Sequence, residues 1–280
     1  MKLMGRTARE LIDELRSVQA NDKSLGQHFL HDEGVLNRTM ELAQLSKSDK
    51  VLEVGPGPGV LTEKIINSGA ELFAVEIDEG ACEHLKSNFP KMNLIQGDVL
   101  KVDWPEVNKV VANIPYQISS PLIEKITRIP AIKTVVILVQ EEFAQRLVVE
   151  TVADRGSLGL CTALDWKSVM DRRVGSHCFI PAPKVNSRLI MMERIEIPEG
   201  AKLAKMLIRQ GFGQRRKKLR NTLAKAPKRI NRINGWHSSA YRAAFESLDS
   251  SLLERRPEEL DLADWLELVK RLTDFVQAMG

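Results

Sequence analysis

The chain has 280 residues, of which 43% are hydrophobic and 28% are charged, enough apolar content to bury the core of one large or two modest domains. No apolar run reaches the roughly 20 residues that cross a bilayer, and the first residues lack the apolar core of a signal peptide. These features predict a globular, cytosolic protein without a membrane partner. Cys82, Cys161 and Cys178 lie far apart without a CxxC pair, which argues against a disulfide framework or a thiolate metal site.

The first predicted elements are two helices separated by an irregular segment. Apolar residues at helical spacing predict one helix over residues 6–19 and another over about residues 33–45. Between them, His28 and His31 have HxxH spacing, but no third ligand accompanies the pair. We therefore predict no metal site here.

The next stretch, residues 51–62, reads VLEVGPGPGVLT. An apolar run, three alternate glycines and a helix-compatible pattern predict a strand, a tight loop and a helix. The spacing fits neither the dinucleotide fingerprint GxGxxG nor the phosphate loop GxxxxGK(S/T). The remaining interpretation, ExGxGxG, resembles the first motif of the class I methyltransferases that bind S-adenosylmethionine, with Gly55, Gly57 and Gly59 allowing close approach of the cofactor. The alternative is a tight connection that binds nothing.

Strand and helix patterns then alternate along the chain. Strands are predicted at residues 72–77, 92–96, 109–112, 134–139, 160–166 and 188–195, and helices at residues 81–89 and 120–128. Such βα units imply an α/β, Rossmann-like fold with a mostly parallel, doubly wound sheet. From residue 201 the apolar spacing is only helical, so we predict an α/β domain over residues 1–199 and a small all-helical domain over residues 200–280.

Polar residues end three of the predicted strands, where ligands of such sheets bind. Glu76 lies 21 positions after Gly55, and its carboxylate can accept the two hydroxyl protons of a ribose. Asp98 can accept from an adenine amino group, and Asn113 ends the following strand. Taken singly, Glu76 is better explained as a solvated acid at a strand end, but together with the glycine loop these residues predict a nucleoside cofactor site.

The tetrad Asn113, Ile114, Pro115 and Tyr116 suggests the reaction. An exocyclic amine on an aromatic base is a poor nucleophile because its lone pair is delocalised into the ring. The side-chain oxygen of Asn113 and the carbonyl of Ile114 can accept its two hydrogens, so that the nitrogen pyramidalises towards a methyl donor. Tyr116 can stack on the base, and Pro115 fixes the backbone that aims the carbonyl. Without the cofactor residues, an ordinary turn would explain the same tetrad.

Eight motifs in order resemble the ribosomal RNA adenine dimethyltransferase family, the KsgA-like enzymes. They cover nearly the whole chain and are weak singly but specific in combination. The motifs are LGQHFL (25–30), LEVGPGPGVLT (52–62), VEID (75–78), GDVL (97–100), NIPYQISSPL (113–122), VQEEFAQRL (139–147), FIPAPKVNS (179–187) and FGQRRKKLRN (212–221).

The resemblance implies roles for particular residues. His28 and Leu30 would contact S-adenosylmethionine beside Gly55, Glu76, Asp98 and Asn113, while Asn113 and Tyr116 would hold the target adenine and Phe179 would be its second stacking face. Two features depart from the family: asparagine often stands where this chain has His28, and residues 155–166 differ from the usual pattern around the target pocket.

The resemblance also implies the reaction and the partner. Two methyl groups would be transferred successively to the exocyclic amine of each of two adjacent adenosines near the 3′ end of small-subunit ribosomal RNA, within a pre-ribosomal subunit, by a cytoplasmic monomer that needs no metal and serves ribosome biogenesis. The alternatives are a methyltransferase of the same fold acting on another RNA or on DNA adenine, and a ribosome-assembly or transcription factor that binds without catalysis.

Basic residues are concentrated in one block of the predicted helical domain. Residues 201–245 contain thirteen of the 41 lysines and arginines and no acid, leaving 28 basic against 37 acidic residues elsewhere. A solvated face is the ordinary explanation of a charge run, but the absence of acids favours nucleic acid as the partner. The densest part, predicted to bind RNA phosphates, consists of Arg215, Arg216, Lys217, Lys218 and Arg220.

Overall fold

The structure is a computed structural model and describes residues 6–18 and 26–279. Gln19 and Leu25, which belong to a predicted helix and a predicted motif, lie outside the described residues. The strands are β1 (Phe29–Leu30), β2 (Lys50–Val54), β3 (Glu71–Glu76), β4 (Asn93–Gln96), β5 (Lys109–Asn113), β6 (Thr134–Gln140), β7 (Trp166–Val174), β8 (Phe179–Ile180) and β9 (Ser187–Arg194). No described helix is both long and apolar enough to cross a membrane.

The helices are interspersed with the strands up to β9, and after β9 the described chain contains helices without strands. They are α1 (Ala8–Val18), α2 (Glu33–Ala43), α3 (Val60–Ser68), α4 (Glu79–Asn88), α5 (Ser119–Thr127), α6 (Glu141–Val148), α7 (Ser157–Ala163), α8 (Ala201–Phe212), α9 (Leu219–Thr222), α10 (Ser238–Glu246), α11 (Ser250–Leu253) and α12 (Leu262–Met279). Two aspartates start helices beside the sheet: Asp32 caps α2 and Asp78 caps α4, each accepting a backbone N–H three residues on.

The first compact unit contains the described residues up to Ala144 together with Ser168–Arg194. Its seven strands have the order β4-β3-β2-β5-β6-β9-β7. The β2, β3, β4, β5 and β6 neighbours pair in parallel, and β9 is antiparallel to β6. Because the strand order runs from β2 to β3 on one side and to β5 on the other, a crevice opens at the carboxyl ends near β2. The predicted mostly parallel, doubly wound sheet is confirmed.

Strand β6 shows why the sequence forms this sheet. Its residues Val135, Val136, Ile137, Leu138 and Val139 are all 2% exposed or less, as expected for a strand covered on both faces. The strands β1 and β8 lie outside the large sheet and form a separate antiparallel pair.

The second compact unit contains Gln145–Lys167 together with the described residues from Ile195 onward. From Ile195 to Met279 it is built of helices and turns without a strand. Its buried core includes Leu160, Leu207, Tyr241, Trp265 and Leu268. The predicted domain boundary lies between residues 199 and 200, whereas in the structure the chain enters the helical unit at Ile195, and the earlier segment 145–167 also belongs to that unit.

The predicted strand over residues 160–166 is wrong. This segment contains the helix α7, and the strand β7 begins only at Trp166. Leu160, Cys161 and Leu164 are buried in the core of the helical unit, and their spacing of one and four residues suits a helix as well as an apolar strand. A short apolar run cannot distinguish the two.

Candidate active site

A single cleft in the first unit collects most of the predicted site residues at the carboxyl ends of β2, β3, β4 and β5. Its lining also includes three residues that were not predicted to belong to the site, Gln27, Phe29 and Gln117. The predicted residues that line it are His28, Gly55, Gly57, Glu76, Asp98, Asn113, Ile114, Pro115 and Tyr116. Leu30, Gly59 and Phe179 do not line this cleft.

The glycine loop after β2 has left-handed backbone at all three glycines, a conformation that side chains rarely adopt. A Cβ on Gly57 would stand 2.9 Å from Cε1 of Phe29, whereas Gly55 has only ordinary contacts nearby. Gly59 caps α3, and a Cβ there would overlap Phe89. Gly55 and Gly57 thus keep the cleft open, while Gly59 is required by packing against α4.

Glu76, at the end of β3, is almost fully buried and holds this loop in place. Its carboxylate accepts the N–H of Gly57 at 3.0 Å, of Ile77 at 2.8 Å and of Asp78 at 3.0 Å. Burial raises the pKa of the Glu76 carboxyl, and the three backbone donors oppose that rise. A carboxylate has about four acceptor positions, so Glu76 keeps room for a further hydroxyl donor.

Glu53, the first residue of the ExGxGxG motif, is a buried acid. It is 2% exposed, and its Oε2 accepts the hydroxyl of Thr62 at 2.6 Å. Burial raises the pKa of the Glu53 carboxyl to about 8. It lines a second, smaller cavity together with Leu30, Gly55 and Asn113, so a largely protonated acid lies directly beside the main cleft at neutral pH.

The raised pKa of Glu53 predicts a pH-dependent stability. Between about pH 5 and pH 8 the folded chain keeps a proton that the unfolded chain has released, so the free energy of unfolding falls with rising pH by at most ~1.4 kcal/mol per pH unit. Glu53→Gln keeps an acceptor for Thr62 without this titration. We expect the variant to gain stability relative to the unsubstituted chain as pH rises through this window, measured by urea unfolding. A stability difference that does not change with pH would contradict the prediction.

Asn113 is the last residue of β5, and the orientation of its side-chain amide follows from the hydrogen bond that the amide makes. Its Nδ2 donates to the backbone carbonyl of His28 at 3.1 Å, and a carbonyl oxygen can only accept, so the amide nitrogen must face it. Its Oδ1 therefore remains an acceptor. The N–H of Ile114 donates to Leu138 at 3.1 Å, and within the described chain no donor bonds the Ile114 carbonyl. Two neighbouring acceptors are available beside the cleft.

Tyr116 follows Pro115, whose backbone is extended (φ −55°, ψ 130°). The tyrosine ring stacks on the ring of His28 with centroids 5.9 Å apart and planes 26° apart. Its hydroxyl bonds the buried hydroxyl of Ser187 at 2.8 Å, and burial raises the pKa of the Tyr116 phenol. One face of the cleft is therefore an aromatic ring held at both ends.

Tyr116→Phe keeps this ring and removes only the bond to Ser187. We expect a loss of about fivefold in methyl transfer at low target concentration, because one hydrogen bond contributes about 1 kcal/mol, with cofactor affinity unchanged. Steady-state kinetics with varied target measures the loss. Tyr241→Phe is the matched control, since it also removes a buried hydroxyl bond of 2.8 Å, to Leu223 in the helical unit. Equal losses in both variants would show that stability, rather than ring position, is affected.

Residues 26–31 form a strap beside the cleft. Gln27 donates to Asp78 at 3.0 Å, and Nδ1 of His28 bonds the carbonyl of Pro181 at 2.8 Å. The pairing of β1 with β8 places Leu30 opposite Phe179, and these two side chains are 7% and 3% exposed. The ring that opposes Tyr116 in the structure belongs to His28, so the stacking role of Phe179 remains a prediction that requires its ring to move.

Asp98 begins the turn after β4 and is held by short-range bonds. Its Oδ1 accepts the N–H of Leu100 at 2.9 Å, and this bond, with help from Lys101, lowers the pKa of the carboxyl. Lys125 of α5, which is not among the predicted site residues, donates to the carbonyls of Val99 at 2.9 Å and Val102 at 2.7 Å. This lysine fixes the loop that carries Asp98.

The basic cluster Arg215–Arg220 lies in the second unit, and the fold supplies acids that its linear sequence lacks. Arg215 pairs with Glu258, while Lys218 and Arg220 both pair with Glu254. For Arg216 and Lys217, which are exposed, no carboxylate partner is found in the described chain. No group of three or more metal-binding side chains occurs among the described residues either.

Comparison with known proteins identifies the family of this chain. Residues 18–236 match the family model described as ribosomal RNA adenine dimethylase. The chain is 36% identical over 279 residues to ribosomal RNA small subunit methyltransferase A of Prochlorococcus marinus (strain MIT 9211), covering 92% of this chain and 95% of the relative. It is 35% identical over 269 residues to the protein of the same name from Pseudomonas syringae pv. tomato, covering 91% and 95%.

Solved structures agree with the class I methyltransferase fold. A dimethyladenosine transferase from Plasmodium falciparum matches with TM-score 0.71 and 25% identity over 88% of this chain and 98% of that one. The 23S rRNA methyltransferase ErmE matches in fold, with TM-score 0.62 and 24% identity over 87% and 99%. The matched range, residues 18–236, spans the glycine loop, Glu76, Asp98 and the tetrad that begins at the end of β5. On these grounds, the chain is an enzyme that belongs to the ribosomal RNA adenine dimethylase family.

Proposed function

We propose that this enzyme uses S-adenosylmethionine to dimethylate the exocyclic amines of two adjacent adenosines near the 3′ end of small-subunit ribosomal RNA, in a cytoplasmic pre-ribosomal subunit. The observation that carries the proposal is the orientation of Asn113. Its amide nitrogen is occupied by the His28 carbonyl, which leaves Oδ1 as an acceptor next to the unbonded carbonyl of Ile114. Two adjacent acceptors suit an NH2 group better than a hydroxyl or a carbon nucleophile.

The described residues fit the proposed cofactor. Gly55 and Gly57 leave backbone exposed to the cleft, and Glu76 has an acceptor position left for a ribose hydroxyl. Asp98 would accept from the adenine amine, while His28 and Leu30 belong to the strap at the edge of the site. When bound, S-adenosylmethionine would supply an electrophilic methyl group on a sulfonium sulfur.

The tetrad would prepare the target amine without a strong base. Asn113 and Ile114 would each accept one amine hydrogen and direct the nitrogen lone pair out of the ring plane, with Tyr116 stacked on the base. After the first transfer one hydrogen remains, so one acceptor keeps its bond while the other must accommodate a methyl group. Because an adenine within RNA structure must leave its stack to reach this cleft, the aromatic ring would offset part of that cost.

The helical unit would hold the RNA. We propose residues 1–199 as the methyltransferase domain and residues 200–280 as the RNA-binding domain, acting in a monomer, with the exposed cations of residues 215–220 contacting phosphates. Phosphate contacts orient the substrate and make binding dependent on salt, whereas the choice of adenosine depends on the pocket.

The deciding experiment incubates the chain with labelled S-adenosylmethionine and small ribosomal subunits that lack the modification, followed by mapping of methylated nucleotides. The proposal expects two adjacent dimethylated adenosines near the 3′ end of the small-subunit RNA. Methylation only on other RNA or on DNA would indicate a different substrate. RNA binding without methylation would indicate an assembly or transcription factor.

A further inference from the structure

The fold places two acids on a basic block that contains none in its linear sequence. Glu254, at the end of α11, bonds both Lys218 and Arg220, and Glu258 bonds Arg215. These bonds lower the pKa of the Glu254 carboxyl, chiefly through Lys218, so it is fully ionised at neutral pH. Three of the five clustered cations are therefore paired with the protein's own acids, two of them sharing one carboxylate.

Other cations of the same block have no such partner. They are exposed, and in the described part of the chain no carboxylate lies within ion-pair distance of them. Between residues 215 and 235, the members of this unpaired set are Arg216, Lys217, Lys225, Lys228, Arg229 and Arg232. An RNA phosphate can reach these side chains without displacing anything, so they form the initial electrostatic contact.

We infer that Glu254 and Glu258 are internal competitors of RNA phosphates, which weaken the binding of nonspecific RNA by occupying Arg215, Lys218 and Arg220. The inference rests on the proposed function only in taking RNA as the partner of this surface. It makes the two acids determinants of specificity in a reaction whose catalytic residues lie in the other unit.

The competition follows from what each partner offers the cations. A carboxylate and a phosphate present similar anionic oxygens to an arginine or lysine, so RNA must displace the acid or leave the cation unused. Exposed ion pairs are weak, and Glu254 is 41% exposed with Lys218 43% exposed. An RNA held by further contacts can therefore displace the acids, whereas an RNA held only by charge gains little from doing so.

The experiment measures the affinity of the full chain for a labelled oligouridylate of about 20 nucleotides, over a range of salt concentrations. Glu254→Gln frees two cations, so we expect binding three to ten times tighter and a log-log salt slope steeper by about 1.4, since each added contact to a single strand contributes about 0.7. Glu258→Gln frees one cation, and we expect about half that change in slope.

Glu267→Gln is the matched control. It removes the same charge and frees Arg271 of α12, outside the basic block, and should change neither affinity nor slope appreciably. An equal gain of RNA affinity in this control would show that only the net charge matters, and it would overturn the inference. Unchanged affinity and slope in Glu254→Gln would overturn it as well. If the unsubstituted chain binds no RNA, the proposed function fails instead, and the two failures are distinct.

Discussion

Asn113→Ala is expected to slow methyl transfer by about 10³-fold while RNA affinity stays within about threefold. The substitution removes the Oδ1 acceptor that would polarise the target amine, and loss of one preorganised polar group at a reacting centre costs about 10² to 10³ in rate. It also removes the bond from Nδ2 to the His28 carbonyl, which loosens the strap and misplaces the reactants further. Single-turnover transfer of labelled methyl groups measures the rate, and fluorescence anisotropy measures RNA binding.

Asn108→Ala separates this catalytic effect from structural damage. Asn108 lies just before the opposite end of β5, where its side chain accepts from Lys50 N–H and donates to Asp49, each at 2.8 Å. The control therefore removes comparable bonds from the same strand but leaves the cleft intact, and its rate should remain within a fewfold of the unsubstituted chain. If Asn113→Ala retained a rate near that of Asn108→Ala, Asn113 would have no role in the chemistry.

The sequence predicted the cleft because parallel strands bring their carboxyl ends to one edge. Glu76, Asp98 and Asn113 are each followed by a turn, and the alternation of strand and helix patterns is enough to place them together. The prediction failed at Leu160 and its neighbours, because a short apolar run fits a helix and a strand equally well. In the structure these residues form a helix that is buried in the core of the helical unit. The apolar periodicity of the sequence thus predicted the strands of the sheet more accurately than it predicted which segments belong to each of the two units.

Other features depend on contacts between residues distant in sequence, which spacing does not reveal. Lys125, on α5, supports the turn that carries Asp98, and Phe179 is buried by the pairing of its strand with the strap. Likewise, a block without acids looked uniformly basic until the fold brought Glu254 to its side. The residue types that would perform the chemistry were predictable, whereas the residues that support or compensate them were not.

Glu76→Gln is expected to weaken S-adenosylmethionine binding by about 10²- to 10⁴-fold. In the unsubstituted chain the Glu76 carboxylate accepts three backbone N–H groups. The glutamine side chain would instead place its NH2 group, a donor, opposite at least one of these donors. An unsatisfied buried donor costs about 1 to 3 kcal/mol, and the lost charged bond to a ribose hydroxyl contributes about 1.5 to 3 kcal/mol more. Isothermal titration with S-adenosylmethionine and S-adenosylhomocysteine measures both affinities.

Both cofactor forms should weaken to the same extent in Glu76→Gln, because they share the ribose and differ only at sulfur. Glu83→Gln is the matched control: Glu83 is exposed on α4, seven positions further along, so the variant loses the same charge without touching the cleft, and its affinities should be unchanged. A loss confined to S-adenosylmethionine would mean that Glu76 acts on the sulfonium charge instead of the ribose. Affinities within threefold of the unsubstituted chain would remove Glu76 from the cofactor site, leaving only its bonds to the glycine loop.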